Sequence, residues 1–79
     1  MTATAIVVLN CELGAEKKII KEISRISGVD EVKEVIGFYD IVMQISAVSV
    51  DELKETIIKK IKVKDKVSST MTLIMNDRE

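Results

Sequence analysis

Near the middle of the chain, two apolar runs are separated by only four residues. The first ends in Val35 and Ile36, the second opens at Ile41, and Gly37, Phe38, Tyr39 and Asp40 stand between them. A gap this short lets two consecutive strands meet as a hairpin. Gly37 permits the positive φ that its bulky neighbours would resist. The hairpin divides the chain into halves of the same kind, each reading as strand–helix–strand.

Ahead of the hairpin, Ala3 to Cys11 is apolar at almost every position (Ala5, Ile6, Val7, Val8, Leu9). Such a β-branched run reads as a strand covered on both faces, with a buried helix as the alternative that pattern alone leaves open. From Ala15 to Ile26, Ile19, Ile20, Ile23 and Ile26 form a helical stripe opposite a charged face. Gly28 stands where a helix C-cap glycine belongs. Val29 to Ile36 alternates like a half-exposed strand, and Lys33 and Glu34 would discourage pairing at a sheet edge. Tyr39 to Ala47 resumes the extended pattern, with Ile41, Met43 and Ile45 opposite Val42, Gln44 and Ser46.

Ser49 and Glu52 have the spacing of a capping box, and Val48 and Leu53 stand at the staple positions beside it. Leu53, Ile57, Ile58 and Ile61 make the second helical stripe, supported by a Glu55–Lys59 pair at i,i+4. A last strand runs from about Val67 to Met75, with Met71, Leu73 and Met75 opposite Thr70, Thr72 and Ile74. The halves correspond loosely, since Ile23, Ile26 and Val32 recur 35 residues later as Ile58, Ile61 and Val67.

The order βαββαβ with right-handed crossovers predicts an α+β ferredoxin-like fold, a four-stranded antiparallel sheet with both helices on one face. The other face would carry Ile6, Val8, Val42, Gln44, Thr72 and Ile74, or their neighbours one residue along. That mixture is too apolar for water, so it is expected to pack on a second copy.

Composition agrees. Seventy-nine residues predict one domain, 1–79. A domain this size buries only about 60% of its unfolded surface. With one Phe, one Tyr and no Trp, the core must come from Ile, Val, Leu and Met, and short aliphatic chains often hide apolar surface by assembling. A net charge of −1 argues against general polyanion binding. The lone Cys11 has no disulfide partner and fits a buried thiol in a reducing compartment. No apolar run approaches the ~18 residues a membrane span needs, and the first residues lack a signal peptide's basic start. A soluble, cytoplasmic protein is expected.

Catalytic equipment is scarce. The chain has no His, hence no ordinary base at neutral pH. It lacks a His/Cys cluster for a metal and a phosphate loop, so no cofactor is expected. Lys59, Lys60, Lys62, Lys64 and Lys66 form the one basic concentration, without interleaved aromatics, and read as a solvated helix end. What is left is the hinge and the hydroxyl-rich run Ser68 to Thr72. Backbone N–H groups around Gly37 could take a carboxylate, while Asp40 and the hydroxyls could take an ammonium. The plainer alternative is a turn glycine, a self-bonded Asp40 and ordinary strand threonines.

The pattern Gly28-Val29, Val32, then Val35 to Val42, Ile45, Val67 and Thr70 to Ile74 resembles the ligand-binding (RAM) domain of Lrp/AsnC regulators, over nearly the whole chain. That resemblance implies sheets packed face to face in homodimers, often gathered into octamers, with amino-acid effectors bound between dimers. It implies a site drawn from Ile36, Gly37, Phe38, Tyr39 and Asp40 with Ser69, Thr70, Met71 and Thr72. Backbone groups of residues 37–39 would hold the carboxylate, and Asp40 with Thr70 or Thr72 the ammonium. The chain departs from the family pattern by starting directly at the first strand, without a helix-turn-helix domain, and by Asp65-Lys66-Val67 before the last strand. It is therefore expected to be a non-enzymatic sensor that binds no DNA directly and modulates full-length Lrp/AsnC regulators by mixed assembly. The rivals are a ligand-free oligomerisation partner and a small dimeric α/β barrel enzyme.

Overall fold

The structure, a computed structural model, describes residues 2–76. The order is β1 (Ala3–Cys11), α1 (Glu16–Ile23), β2 (Val29–Glu34), β3 (Ile41–Ala47), α2 (Val50–Thr56) and β4 (Val67–Asn76), with a π-helical turn (Ile57–Ile61) prolonging α2. The strands form one sheet in the order β2-β3-β1-β4, every neighbouring pair antiparallel. This is the α+β ferredoxin-like arrangement expected from the sequence, with β2 and β4 as the two edges.

Burial places both helices on one face. Ala3, Ala5, Val7 and Leu9 of β1 and Ile41, Met43 and Ile45 of β3 form a single buried cluster with Ile19, Ile23, Leu53, Ile57 and Ile61. Fully burying one of the Val, Leu, Ile or Met side chains among them is worth about 1.5–3 kcal/mol, so these positions carry the fold. Their partners in alternation, Thr4, Ile6, Val8 and Asn10, are only partly covered. β1 is therefore sealed on one face, where its unbroken apolar run predicted both.

Register decides what the open face carries. Val7 pairs with Met43 on one side and Thr72 on the other. Thr70, Thr72 and Ile74 thus lie on the helix face, and Met71, Leu73 and Met75 on the open face beside Ile6, Val8 and Val42. This corrects the assignment of Thr72 and Ile74 to the open face in favour of the neighbours one residue along. Parity could not be read from β4 itself, because its more apolar side, Met71, Leu73 and Met75, is the one left open.

Three local expectations need revision. α1 ends at Ile23, so Gly28 does not cap it. Gly28 instead turns the chain into β2 with φ +96° while its backbone lies against Ser46. Val48 is 74% exposed, so no staple forms against the buried Leu53, and Ile58 at 54% exposure leaves the helical stripe. The cap itself holds: Ser49 Oγ accepts from Glu52 N at 3.1 Å, a bond typically worth about 1 kcal/mol. Lys59 Nζ reaches Glu55 Oε2 at 2.8 Å, as the i,i+4 spacing predicted.

The two edges differ in chemistry. β2 carries Asp30, Glu31, Lys33 and Glu34 and has an irregular register between Val29 and Glu31; both features discourage further pairing. β4 contains no charged residue along its ten positions.

Candidate functional site

The hairpin is closed by Val35 N donating to Asp40 O at 2.9 Å. Residues 36–39 form the loop between them. Its tip is unsupported within the chain: Ile36 and Phe38 are about fully exposed, at 104% and 97%. Desolvating two large apolar side chains is favourable, so covering this tip would lower the free energy. Tyr39 and Asp40 at the base are half-buried.

Asp40 fixes that base to β1. Its N–H donates to Leu9 O at 2.9 Å. Beyond Leu9↔Ile41, the last β1–β3 pair, its side chain takes over from the ladder, and Oδ2 accepts from Cys11 N at 2.9 Å. A backbone donor at a strand end needs such a partner. Of the two readings of Asp40, the structure therefore shows a backbone tie, made across strands rather than to its own turn.

One step further across the sheet, Asn10 Nδ2 donates to Ser69 Oγ at 3.1 Å. Hinge and Ser/Thr run therefore share one end of the sheet, joined through Asn10 and Cys11, which sequence reasoning did not include. The visible signal was an amide terminating an otherwise apolar run. The sequence-predicted set divides by face. Ser69 and Met71 lie on the open side, whereas Thr70 and Thr72 alternate onto the helix side. Thr72 Oγ1 is buried there without a hydrogen-bond partner among the described residues, so it does not face the same space as Ser69.

The same end is clipped by a second pair of contacts. Lys66 Nζ meets Glu12 Oε1 at 3.0 Å, and Glu12 N donates to Lys66 O at 2.8 Å. The Glu12 carboxylate holds the Lys66 ammonium above its usual range. Lys64 is likewise engaged, 3.3 Å from Glu22. The lysine run is thus partly neutralised inside the chain rather than presented as a patch. A concavity of about 310 Å³ lies between α1 and residues 63–66 and is spanned by that Lys64–Glu22 pair. A shallower one of about 230 Å³ borders Lys62 and Val67 to Thr70.

Cys11 is partly buried rather than enclosed. Burial, with the carboxylates of Asp40, Glu16 and Glu34 adding repulsion, pushes its thiol above the ordinary cysteine range. The thiolate is the reactive form. Iodoacetamide should therefore alkylate the folded protein at pH 8 several-fold more slowly than the same chain in urea, with the rate still rising above pH 9. A plateau below pH 9 would contradict the raised pKa. Cys11 is thus not an activated nucleophile. Among the described residues, no group of three or more His, Cys, Asp or Glu could hold a metal ion, and no helix is long and apolar enough to cross a membrane.

Against known proteins, the model of the Lrp/AsnC ligand binding domain matches residues 4–78. Among solved structures, a hypothetical protein from Pyrococcus horikoshii, PHS023, superposes with a TM-score of 0.92 at 22% identity, covering 96% of this chain and 92% of that one. AsnC from E. coli gives 0.86 at 22% identity, over 96% of this chain and 52% of AsnC. A transcriptional regulator from Neisseria meningitidis, NMB0573, solved in complex with L-Met, gives 0.83 at 9% identity, over 95% of this chain and 50% of its own. This chain thus spans about half of each of those two regulators. No curated protein sequence matches it.

Proposed function

The chain belongs to the Lrp/AsnC ligand binding domain family, and from that premise we propose that it is a non-enzymatic module that assembles with itself and binds an amino-acid effector. The observation that carries this reading is the hinge: an apolar tip, Ile36 and Phe38, left bare on a base pinned by Asp40. A rigid base with an unsupported tip suits a pocket whose remaining wall is another subunit. The uncovered sheet face, with Met71, Leu73 and Met75 each at least 43% exposed, supports a face-to-face dimer of the α/β barrel type. Octamers would follow from contacts between such dimers at the hinge.

In this reading, backbone N–H groups of residues 37–39 receive the effector's carboxylate. The Asp40 carboxylate attracts its ammonium while Oδ2 keeps Cys11. Ser69 and Met71 belong to the same end of the sheet. Thr70 and Thr72 would contribute only through the helix side, so Ser69 replaces them as the hydroxyl of choice. The L-Met complex of the Neisseria relative supports an amino acid as the class of ligand. Mixed assembly with full-length regulators of the family would pass the effector signal to DNA.

Calorimetric titration of the assembled protein with the twenty amino acids tests this. At least one is expected to bind saturably, and Asp40→Asn, which retains an acceptor for Cys11 N–H but loses the charge, should weaken it by at least about tenfold. If none binds and the protein still assembles, the chain is an oligomerisation partner instead.

A further inference from the structure

Three features unrelated to the hinge meet in one groove between α2, its π-helical turn and the edge strand β4. Ile57, Ile58 and Ile74 wall it, Lys54, Lys62 and Thr72 complete its lining, and its open volume is about 230 Å³. The first feature is the π turn, in which Lys62 N donates to Ile57 O, five residues back, at 3.0 Å. Such turns are rare and occur frequently at functional sites. Here the turn keeps Ile57 and Ile61 in the core and leaves Ile58 54% exposed. The second is the Thr72 hydroxyl, buried and without a partner among the described residues. The third is charge. Lys33, Lys59, Lys64 and Lys66 each hold a carboxylate. Lys54 and Lys62, like Lys17, Lys18, Lys21 and Lys60, have no ion pair among the described residues, and no acidic side chain lines the groove.

We infer that this groove binds a small branched aliphatic monocarboxylate. The isoleucine wall takes the alkyl part, whose removal from water drives binding. The two ammonium groups attract the carboxylate, and the Thr72 hydroxyl donates to it. In the bound state a χ1 rotation between staggered rotamers would turn Oγ1 from its buried position toward the groove. A zwitterion is disfavoured, because two cations and no anion line the site. This site is separate from the hinge, on the helix side of the sheet and at its β4 edge.

Isoleucine-methyl NMR of the whole protein, titrated with sodium isovalerate and with neutral isovaleramide at matched ionic strength, tests the assignment. Saturable shifts are expected at the methyls of Ile57, Ile58 and Ile74. Affinity should fall at least about tenfold for the amide and for the Lys54→Glu/Lys62→Glu double variant, and several-fold for Thr72→Val. The lysines are exposed and the threonine change conserves shape, so each variant should keep the wild-type melting temperature within a few degrees. Absence of saturable shifts in the wild type, shifts centred on Ile36 and Ile41, or equal binding of the amide would overturn the proposal. Unaltered binding by the double variant would do the same. Failure here leaves the amino-acid titration of the hinge unaffected, because the two ligands report at different methyls.

Discussion

Leu73→Asp is expected to leave each subunit folded and to abolish self-association. Leu73 is 65% exposed in the single chain and pairs with Ile6 in register, midway along the edge strand β4 on the open sheet face. In a separate subunit a carboxylate at this position stays hydrated and costs little. Between two packed sheets it would be buried beside Ile6 without a counter-charge, a cost of several kcal/mol. The dimer dissociation constant should therefore rise at least about a hundredfold, seen as a shift to monomer mass in sedimentation. Far-UV circular dichroism should be unchanged. Lys17→Gln, an equal charge change on the exposed side of α1, should leave the mass alone. If Leu73→Asp sediments like the wild type, the sheet face is not the interface.

The second large effect is on stability. At Gly28, φ is +96° and an added Cβ would lie 2.8 Å from Ser46 O, a backbone atom that cannot swing aside. Gly14 has a similar φ of +88° but open space around it. Alanine at Gly14 should cost only the left-handed backbone penalty, about 1–2 kcal/mol. Alanine at Gly28 should cost that plus a shift of β3 against the turn, about 3 kcal/mol in total. For a domain this size, that is a fall in Tm of roughly 12–24 °C. The Ser46 N–H donates to Gly28 O at 2.9 Å, so the turn has a partner on both sides and little room to retreat. Equal melting temperatures for the two variants would show that the close approach has no energetic weight.

Much of this molecule is legible in its sequence, for a physical reason. The elements with a one-sided pattern, α1, α2 and β3, were placed with the right faces because burial follows their periodicity. The capping serine and the Glu55–Lys59 pair were readable because both are local. What failed depended on partners far away in sequence. Whether Thr72 or Met71 faces the helices is set by its pairing with β1, and the pattern within β4, with its more apolar side outward, points the other way. Gly28 was read as the cap of the first helix, whereas its place in the turn and the reason it cannot be replaced depend on a carbonyl eighteen positions downstream. The same limit applied at the hinge. Asp40 was legible as a polar residue at a turn, while its role as a tie to Cys11 needed the sheet order. The π turn was invisible for a different reason, since isoleucines four apart fit an α-helical stripe as well as a widened one.

The uncharged edge has a bearing on how the protein must be handled. Residues 67–76 combine β-branched and aliphatic side chains with no Pro, no Gly and no charge, the composition of segments that stack into fibrils. Within the folded chain, β1 occupies one side of β4 and spends half of that segment's pairing capacity. Released by proteolysis, or exposed in a chain that has lost the turn at Gly28, the segment would have both sides free. A synthetic peptide of this stretch should therefore assemble into cross-β fibres, and the protein's shelf life would be set by how seldom β4 leaves the sheet.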